Sequence, residues 1–173
     1  MKKAMVRIVL FLGVLSFLIP IKAEAALTNS GAFGFKASYA SNGYYYNETA
    51  YPGHLTAFRN AFNQVNGVSG INIRQTSNIS NANIRLRTSV AMETWWGLQS
   101  GGSSSSILWI NDRTTARDNF TSSNFNWLGM HEVGHALGMH HQRPGIYSVM
   151  RTGSKISMNS LGVIDRDNLN WRY

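Results

Sequence analysis

Apolar residues along this 173-residue chain fall into three patterns, and each predicts a different kind of element. The first is an unbroken apolar run over residues 8–21, preceded by Lys2, Lys3 and Arg7 and followed by Ala23-Glu24-Ala25. A basic start, a short apolar core and a small-x-small site mark a leader, so residues 1–25 are predicted as a signal peptide and residues 26–173 as the mature domain. The run falls short of the roughly 20 residues that a membrane-spanning helix needs. The second pattern has helical spacing: Leu55, Phe58, Ala61, Phe62 and Val65 predict an amphipathic helix over residues 53–65, stopping near Asn66-Gly67. The third alternates with period two and predicts strands over residues 32–37, 71–75, 82–87 and 107–110. The second and third of these strands are expected side by side. Residues 101–106, Gly-Gly followed by four serines, read as a flexible turn. Capping residues between Ser122 and Asn126 predict the start of another helix, and a last one is expected from near Asp165 to the C-terminus. Strand, helix, three strands and two helices make an α+β domain.

Composition narrows this picture. The predicted leader holds four basic residues and one acidic residue, which leaves the mature domain at +5 against +8 for the whole chain. Apart from Arg85 and Arg87 the cations are scattered and form no run that would track a phosphate backbone, so nucleic acid is not an expected partner. A mature length of 148 residues suits a single core. There is no cysteine, so an exported chain of this kind must be stabilised by its core and by any bound metal rather than by disulfides.

The candidate chemistry is concentrated in residues 131–141. His131 and His135 are four apart, so on a helix both imidazoles project from one face and reach one ion. Catalytic zinc typically takes three protein ligands and keeps a fourth position for water. Gly138 can adopt positive φ, end the helix and turn His141 back towards the metal; the spacing after Gly138 favours His141 over His140. Glu132, beside the ligands, is suited to take a proton from water and pass it to a leaving amine. Five fixed residues at this spacing arise by chance in a chain of this length about once in ten thousand. A closed structural site would need a fourth protein ligand, often cysteine, and none is present. His54, far upstream, is expected at the surface or at a boundary.

The pattern His-Glu-x-x-His-x-x-Gly-x-x-His, formed by His131, Glu132, His135, Gly138 and His141, resembles the signature of the metzincin zinc peptidases. The run His-Glu-Val-Gly-His-Ala-Leu-Gly is most similar to the matrixin-like branch. Met150, nine residues after His141, stands where that family places a methionine turn beneath the metal. The resemblance covers residues 107–173 well and the earlier part only in layout. It implies a twisted mixed five-stranded sheet with two long helices, a Met-turn, a C-terminal helix, and a shallow substrate cleft along an edge strand. The chain departs from the family in four ways. No cysteine is present for a cysteine latch, the few aspartates lack the spacing of calcium clusters, and Thr152 occupies the position where some branches carry a tyrosine ligand. Gln142 replaces the serine that often follows the third histidine in matrixins.

The sequence therefore predicts a secreted, extracellular zinc endopeptidase with one zinc and no calcium, acting as a monomer on proteins or peptides. His131, His135 and His141 would be the ligands, Glu132 the general base, and Gly138 and Met150 the supports. Residues 95–99 or 107–110 would form the edge strand that pairs with substrate. Ile146 and Tyr147 would wall the main side-chain pocket. The alternative from another class is a secreted zinc-containing binding or toxin-like module, with Tyr39, Tyr44, Tyr45, Tyr46, Trp95 and Trp96 as its recognition surface. A binding module has no need of Glu132, which favours the enzyme.

Overall fold

The computed structural model describes residues 25–173, so all but the last residue of the predicted leader lies outside the described residues. The chain runs β1 (Gly43–Asn47), α1 (Pro52–Val65), β2 (Ile73–Gln75), β3 (Ile84–Ser89), β4 (Gly97–Gly101), β5 (Ser106–Asn111), α2 (Asp112–Arg117), α3 (Ser122–Ala136) and α4 (Val163–Arg172). The five strands form one twisted sheet in the order β2-β1-β3-β5-β4, parallel except for the last pair. This is the α+β architecture with a C-terminal helix expected from the sequence.

Alternation sorts the strands into two faces. Tyr45, Ile73, Ile84, Leu86, Leu108 and Ile110 point inward and are almost fully buried. Against them pack Phe58, Ala61, Phe62 and Val65 of α1, whose helical spacing was legible, and Trp127, Leu128, Met130 and Val133 of α3. α3 is buried nearly all round over residues 127–134, as a helix must be when it lies between the sheet, α1 and the segment that follows Gly138.

Several expectations need correction. Residues 32–37 are not a strand. They follow a single 3-10 turn, Asn29–Ala32, and make only one bridge, Phe33 to Met139, because the partner they find is the turn after α3 and not the sheet. The first strand is Gly43–Asn47 instead. It separates β2 from β3, so those two are not neighbours but flank β1, each parallel to it. Three consecutive tyrosines hide this strand's period, since Tyr44 and Tyr46 are outward aromatic residues on a face expected to be polar. Residues 107–110 are interior, paired on both sides, and the edge beyond them is β4. The short helix α2, with only Thr114 and Thr115 buried, carries no apolar stripe to reveal it. His54 is 3 % exposed: its Nδ1 lies 2.8 Å from Thr88 Oγ1, its Nε2 3.5 Å from Asp112 Oδ1, and its ring stacks on Tyr51.

Candidate metal centre

α3 begins at Thr121, whose hydroxyl accepts from Asn124 N–H while the Asn124 side chain accepts from Thr121 N–H at 2.9 Å, a reciprocal cap. It ends where Gly138 takes φ +85°. There Gly138 N–H donates to His135 O and Met139 N–H to Gly134 O, both at 2.9 Å, the paired bonds of a Schellman turn. The turn is clamped from outside by Tyr39, whose hydroxyl donates to Ala136 O at 2.6 Å, and by Tyr173, which donates to Leu137 O at 2.6 Å.

This turn brings His141 back over the helix. Its Nε2 lies 3.2 Å from His131 Nε2 and 2.9 Å from His135 Nε2, and those two are 3.2 Å apart. A hydrogen bond between His131 and His135 is ruled out by what their other nitrogens do. His131 Nδ1 is 2.8 Å from Val149 O and His135 Nδ1 is 2.9 Å from Met139 O. A carbonyl only accepts, so each Nδ1 carries the proton and each Nε2 presents a lone pair to the centre. Lone pairs held this close repel one another unless a cation lies among them. A tetrahedral ion with bonds of about 2.0–2.1 Å holds its ligand atoms about 3.3 Å apart, close to the spacing seen here. Burial keeps the rings neutral, the metal-binding form: it pushes His131 down to about 3 and His135 to about 4, aided by the neighbouring imidazoles, and lowers His141 as well. The donor set therefore fits a divalent metal ion, and among the described residues it is the one such cluster of His, Cys, Asp or Glu. His140 is exposed on the other side of the chain, packed beside Gly34, and takes no part.

Glu132 is 3 % exposed, and its Oε2 has no hydrogen-bond partner. Burial pushes the carboxyl up to about 8 in the absence of a cation; a positive ion on the adjacent histidines favours the charged form and opposes that shift. Glu132, His135 and His141 line a cavity of about 250 Å³ together with Gly97, Leu98 and Gln99 of the edge strand. Beneath the helix, fully buried Met150 fills the space that Gly134 leaves, since a Cβ at Gly134 would overlap its sulfur. Ser148 Oγ donates to Met150-turn neighbour Asp165 and accepts from Met150 N–H at 2.9 Å, while Asp165 also accepts from Val149 N–H at 2.8 Å and Gly162 N–H at 2.9 Å. Val149 O in turn orients His131 and accepts from Trp127 Nε1.

The residues singled out from the sequence are thus not all together. His131, Glu132, His135 and His141 converge, and Gly138 and Met150 adjoin them. Ile146 and Tyr147 line a separate cavity of about 520 Å³ with Val163 and Ile164 of α4, lined by none of the three histidines. Thr152 donates its N–H to Gln142 O, and the Gln142 side chain holds Leu27 by two hydrogen bonds of 2.8 and 2.7 Å. Gly97, Gln99, Asp165, Tyr39 and Tyr173 contribute to the site without a local motif to reveal them, because each acts through a contact distant in sequence.

No protein family's sequence profile matches the chain, and no curated protein matches it. Among solved structures, one described as that of myroilysin aligns with a TM-score of 0.50 at 14 % identity, covering 73 % of this chain and 89 % of the other. A likeness at that identity bears on the fold, and it supports the metzincin-like arrangement of sheet, helices and C-terminal helix.

Proposed function

We propose that this chain is a secreted zinc endopeptidase of the metzincin type, in its matrixin-like branch. The observation that carries this reading is the convergence of three Nε2 atoms, two of them with lone pairs fixed by their ring tautomers, beside a buried carboxylate with one unpartnered oxygen. His131, His135 and His141 would hold the ion. A bound zinc supplies Lewis-acid polarisation of a carbonyl and brings the pKa of water from about 15.7 to near 7. Glu132 lies beside the ligands without being one, so its Oε2 is available to accept the proton of an attacking water and to return it to the leaving amine. The backbone of β4, the sheet edge that lines the cavity, would pair with an extended peptide by main-chain hydrogen bonds and set the scissile bond in front of Glu132. Ile146 and Tyr147, in their own apolar cavity, would contact substrate side chains away from the scissile bond. Export rests on the leader pattern of residues 1–25.

A secreted zinc-containing binding module is the second reading, favoured by the outward rings of Tyr44 and Tyr46. It leaves the orphan oxygen of Glu132 unexplained, since a module that only binds has no use for a buried, unsatisfied carboxylate. Purified protein and its Glu132→Ala variant, assayed on unfolded protein substrates with and without a chelator, decide between them. We expect one zinc per chain in both proteins, and turnover that falls by about 10²–10⁴-fold in the variant. Equal turnover in the two would sink the mechanism, and zinc-loaded wild type without activity would establish the binding module.

A further inference from the structure

The peptidase reading uses the inner face of the sheet and its β4 edge; the outer face is left without a role. Register aligns its side chains in rows across the strands. Arg74 stands beside Tyr44, Tyr46 beside Arg85, Ile107 and Ser100, and Arg87 beside Trp109 and Leu98. With strands about 4.8 Å apart, the row from Tyr46 to Ser100 spans about 14 Å. Tyr44, Tyr46, Arg85, Arg87, Ile107 and Trp109 are half-buried by one another rather than covered, while Arg74 and Ser100 are exposed and Leu98 is 42 % exposed. Three tyrosines in succession thus divide their duties: Tyr45 goes to the core, and Tyr44 and Tyr46 go to solvent.

Charge on this face is sparse and of one prevailing sign. Glu48, the next outward residue after Tyr46, is the acidic residue of the face and is outnumbered by Arg74, Arg85 and Arg87. It accepts from Arg85 Nε and Nη2 at 2.9 and 2.5 Å and from Arg87 Nε at 2.6 Å, which holds both guanidiniums on this face. Arg74 is held over the Tyr44 ring, 4.9 Å from its centroid, and donates to the Tyr44 hydroxyl at 2.8 Å. At the β4–β5 end of the face opens a cavity of about 400 Å³ with Arg85 and Ile107 in its wall.

From this placement we propose that the outer face of the sheet, with its Arg85 cavity, is a binding surface for an acidic polysaccharide, one whose carboxylates are separated by sugar rings. Aromatic rings on a rigid sheet offer stacking area at little entropic cost, and the three guanidiniums, which outnumber Glu48, keep N–H groups beyond those it and Tyr44 take with which to donate to a carboxylate. A phosphodiester chain is a poorer occupant: its closely spaced charges would meet Glu48 in the middle of the face, whereas a glycan can place a sugar ring there. Bound in this way, the protein would be tethered by the back of its sheet while the cavity beside the β4 edge stays open to substrate. The proposal does not depend on proteolysis.

The test uses the whole purified protein and polygalacturonate as the probe, with dextran and single-stranded DNA as comparison polymers, each in titration calorimetry at two salt concentrations. We expect polygalacturonate to bind more tightly than either comparison polymer, and Arg74→Glu and Tyr46→Ser each to weaken it about tenfold, the loss of one charge-assisted contact or one stacked ring. Both variants should still melt cooperatively, and their cleavage of a short peptide should be unchanged, because neither position touches the metal centre. Binding no tighter than to dextran, tighter binding to single-stranded DNA, or undiminished binding in folded variants would each overturn the proposal.

Discussion

Gly97 and Glu132 are fitted to each other across the cleft. The edge strand passes so close to the carboxylate that a Cβ at position 97 would overlap Glu132 Oε1 and lie 2.8 Å from both its Cδ and Leu128 Cδ1. The bare glycine backbone therefore does two things: it lets the strand form one wall of the cavity, and it leaves the carboxylate room beside the histidines. In Gly97→Ala either the strand or the carboxylate must move. A displacement of about 1 Å at reacting groups costs about 10²-fold in rate, and overpacking a filled site costs about 1–3 kcal/mol. We expect Gly97→Ala to retain one zinc per chain and to lose turnover on that scale. Metal analysis and steady-state kinetics on the same preparation check this, and wild-type turnover would show that the contact is inconsequential.

Asp165 supplies a second prediction. It is fully buried and accepts from Ser148 Oγ, Val149 N–H and Gly162 N–H, so it fastens the Met150 turn to the start of α4. Val149 is the residue whose carbonyl orients His131, so the carboxylate acts on the metal centre through one peptide unit. Asp165→Asn points an amide donor at groups that are themselves donors. The expected cost is about 1–3 kcal/mol of stability from the mispaired groups. Zinc affinity should fall by about 10–100-fold, the usual effect of losing a ligand's outer support. A zinc competition titration reads the second quantity; an unchanged affinity in a folded variant would cut Asp165 out of the relay.

What the sequence disclosed and what it hid divide along a physical line. His131, Glu132, His135, Gly138 and His141 are legible because a helix and its terminal turn are local geometries: spacing alone dictates which side chains meet. α1 was legible for the same reason. Gly97 and Asp165 were not, because what matters about them is a neighbour 35 residues away for the first and 16 for the second. β1 was missed because alternation of apolar and polar residues fails where both faces carry tyrosine. His54 was misplaced because a histidine reads as polar, whereas here two hydroxyl-bearing threonines and an aspartate make a buried niche that satisfies it.

That niche carries a pH dependence. Burial lowers the His54 pKa, and Asp112 opposes this only in part. The unfolded chain titrates near 6.5, so the folded state binds this proton less readily than the unfolded state. It follows that the stabilising contribution of neutral His54 is complete above about pH 6.5 and is lost as pH falls from there through the lower folded value. The metal-site histidines titrate in the same direction, so the wild-type slope alone does not isolate His54. We expect the difference in melting temperature between wild type and His54→Gln, both zinc-loaded, to shrink as pH is lowered from 8 to 5. A difference independent of pH would show that His54 does not titrate in this window.

The last prediction concerns the turn that delivers the third ligand. Gly138 at φ +85° is a conformation that costs an L-residue about 1–2 kcal/mol, and here a Cβ would also overlap Phe35 O. Tyr173 braces the same turn differently: its hydroxyl donates to Leu137 O and accepts from Ala37 N–H at 2.9 Å, tying the C-terminal residue, the helix end and the N-terminal segment together. Removing that oxygen in Tyr173→Phe leaves a carbonyl and an N–H without their partner, at about 1–3 kcal/mol, yet leaves the Schellman bonds in place. The two variants should therefore separate stability from ligand geometry. Gly138→Ala should weaken zinc binding strongly, because His141 can no longer reach the other two nitrogens without strain. Tyr173→Phe should lower the melting temperature by a similar amount while changing zinc affinity much less. Parallel melts and zinc titrations measure both effects, and equal losses of affinity in the two variants would mean that His141 is positioned by the bracing tyrosine as much as by the backbone of the turn.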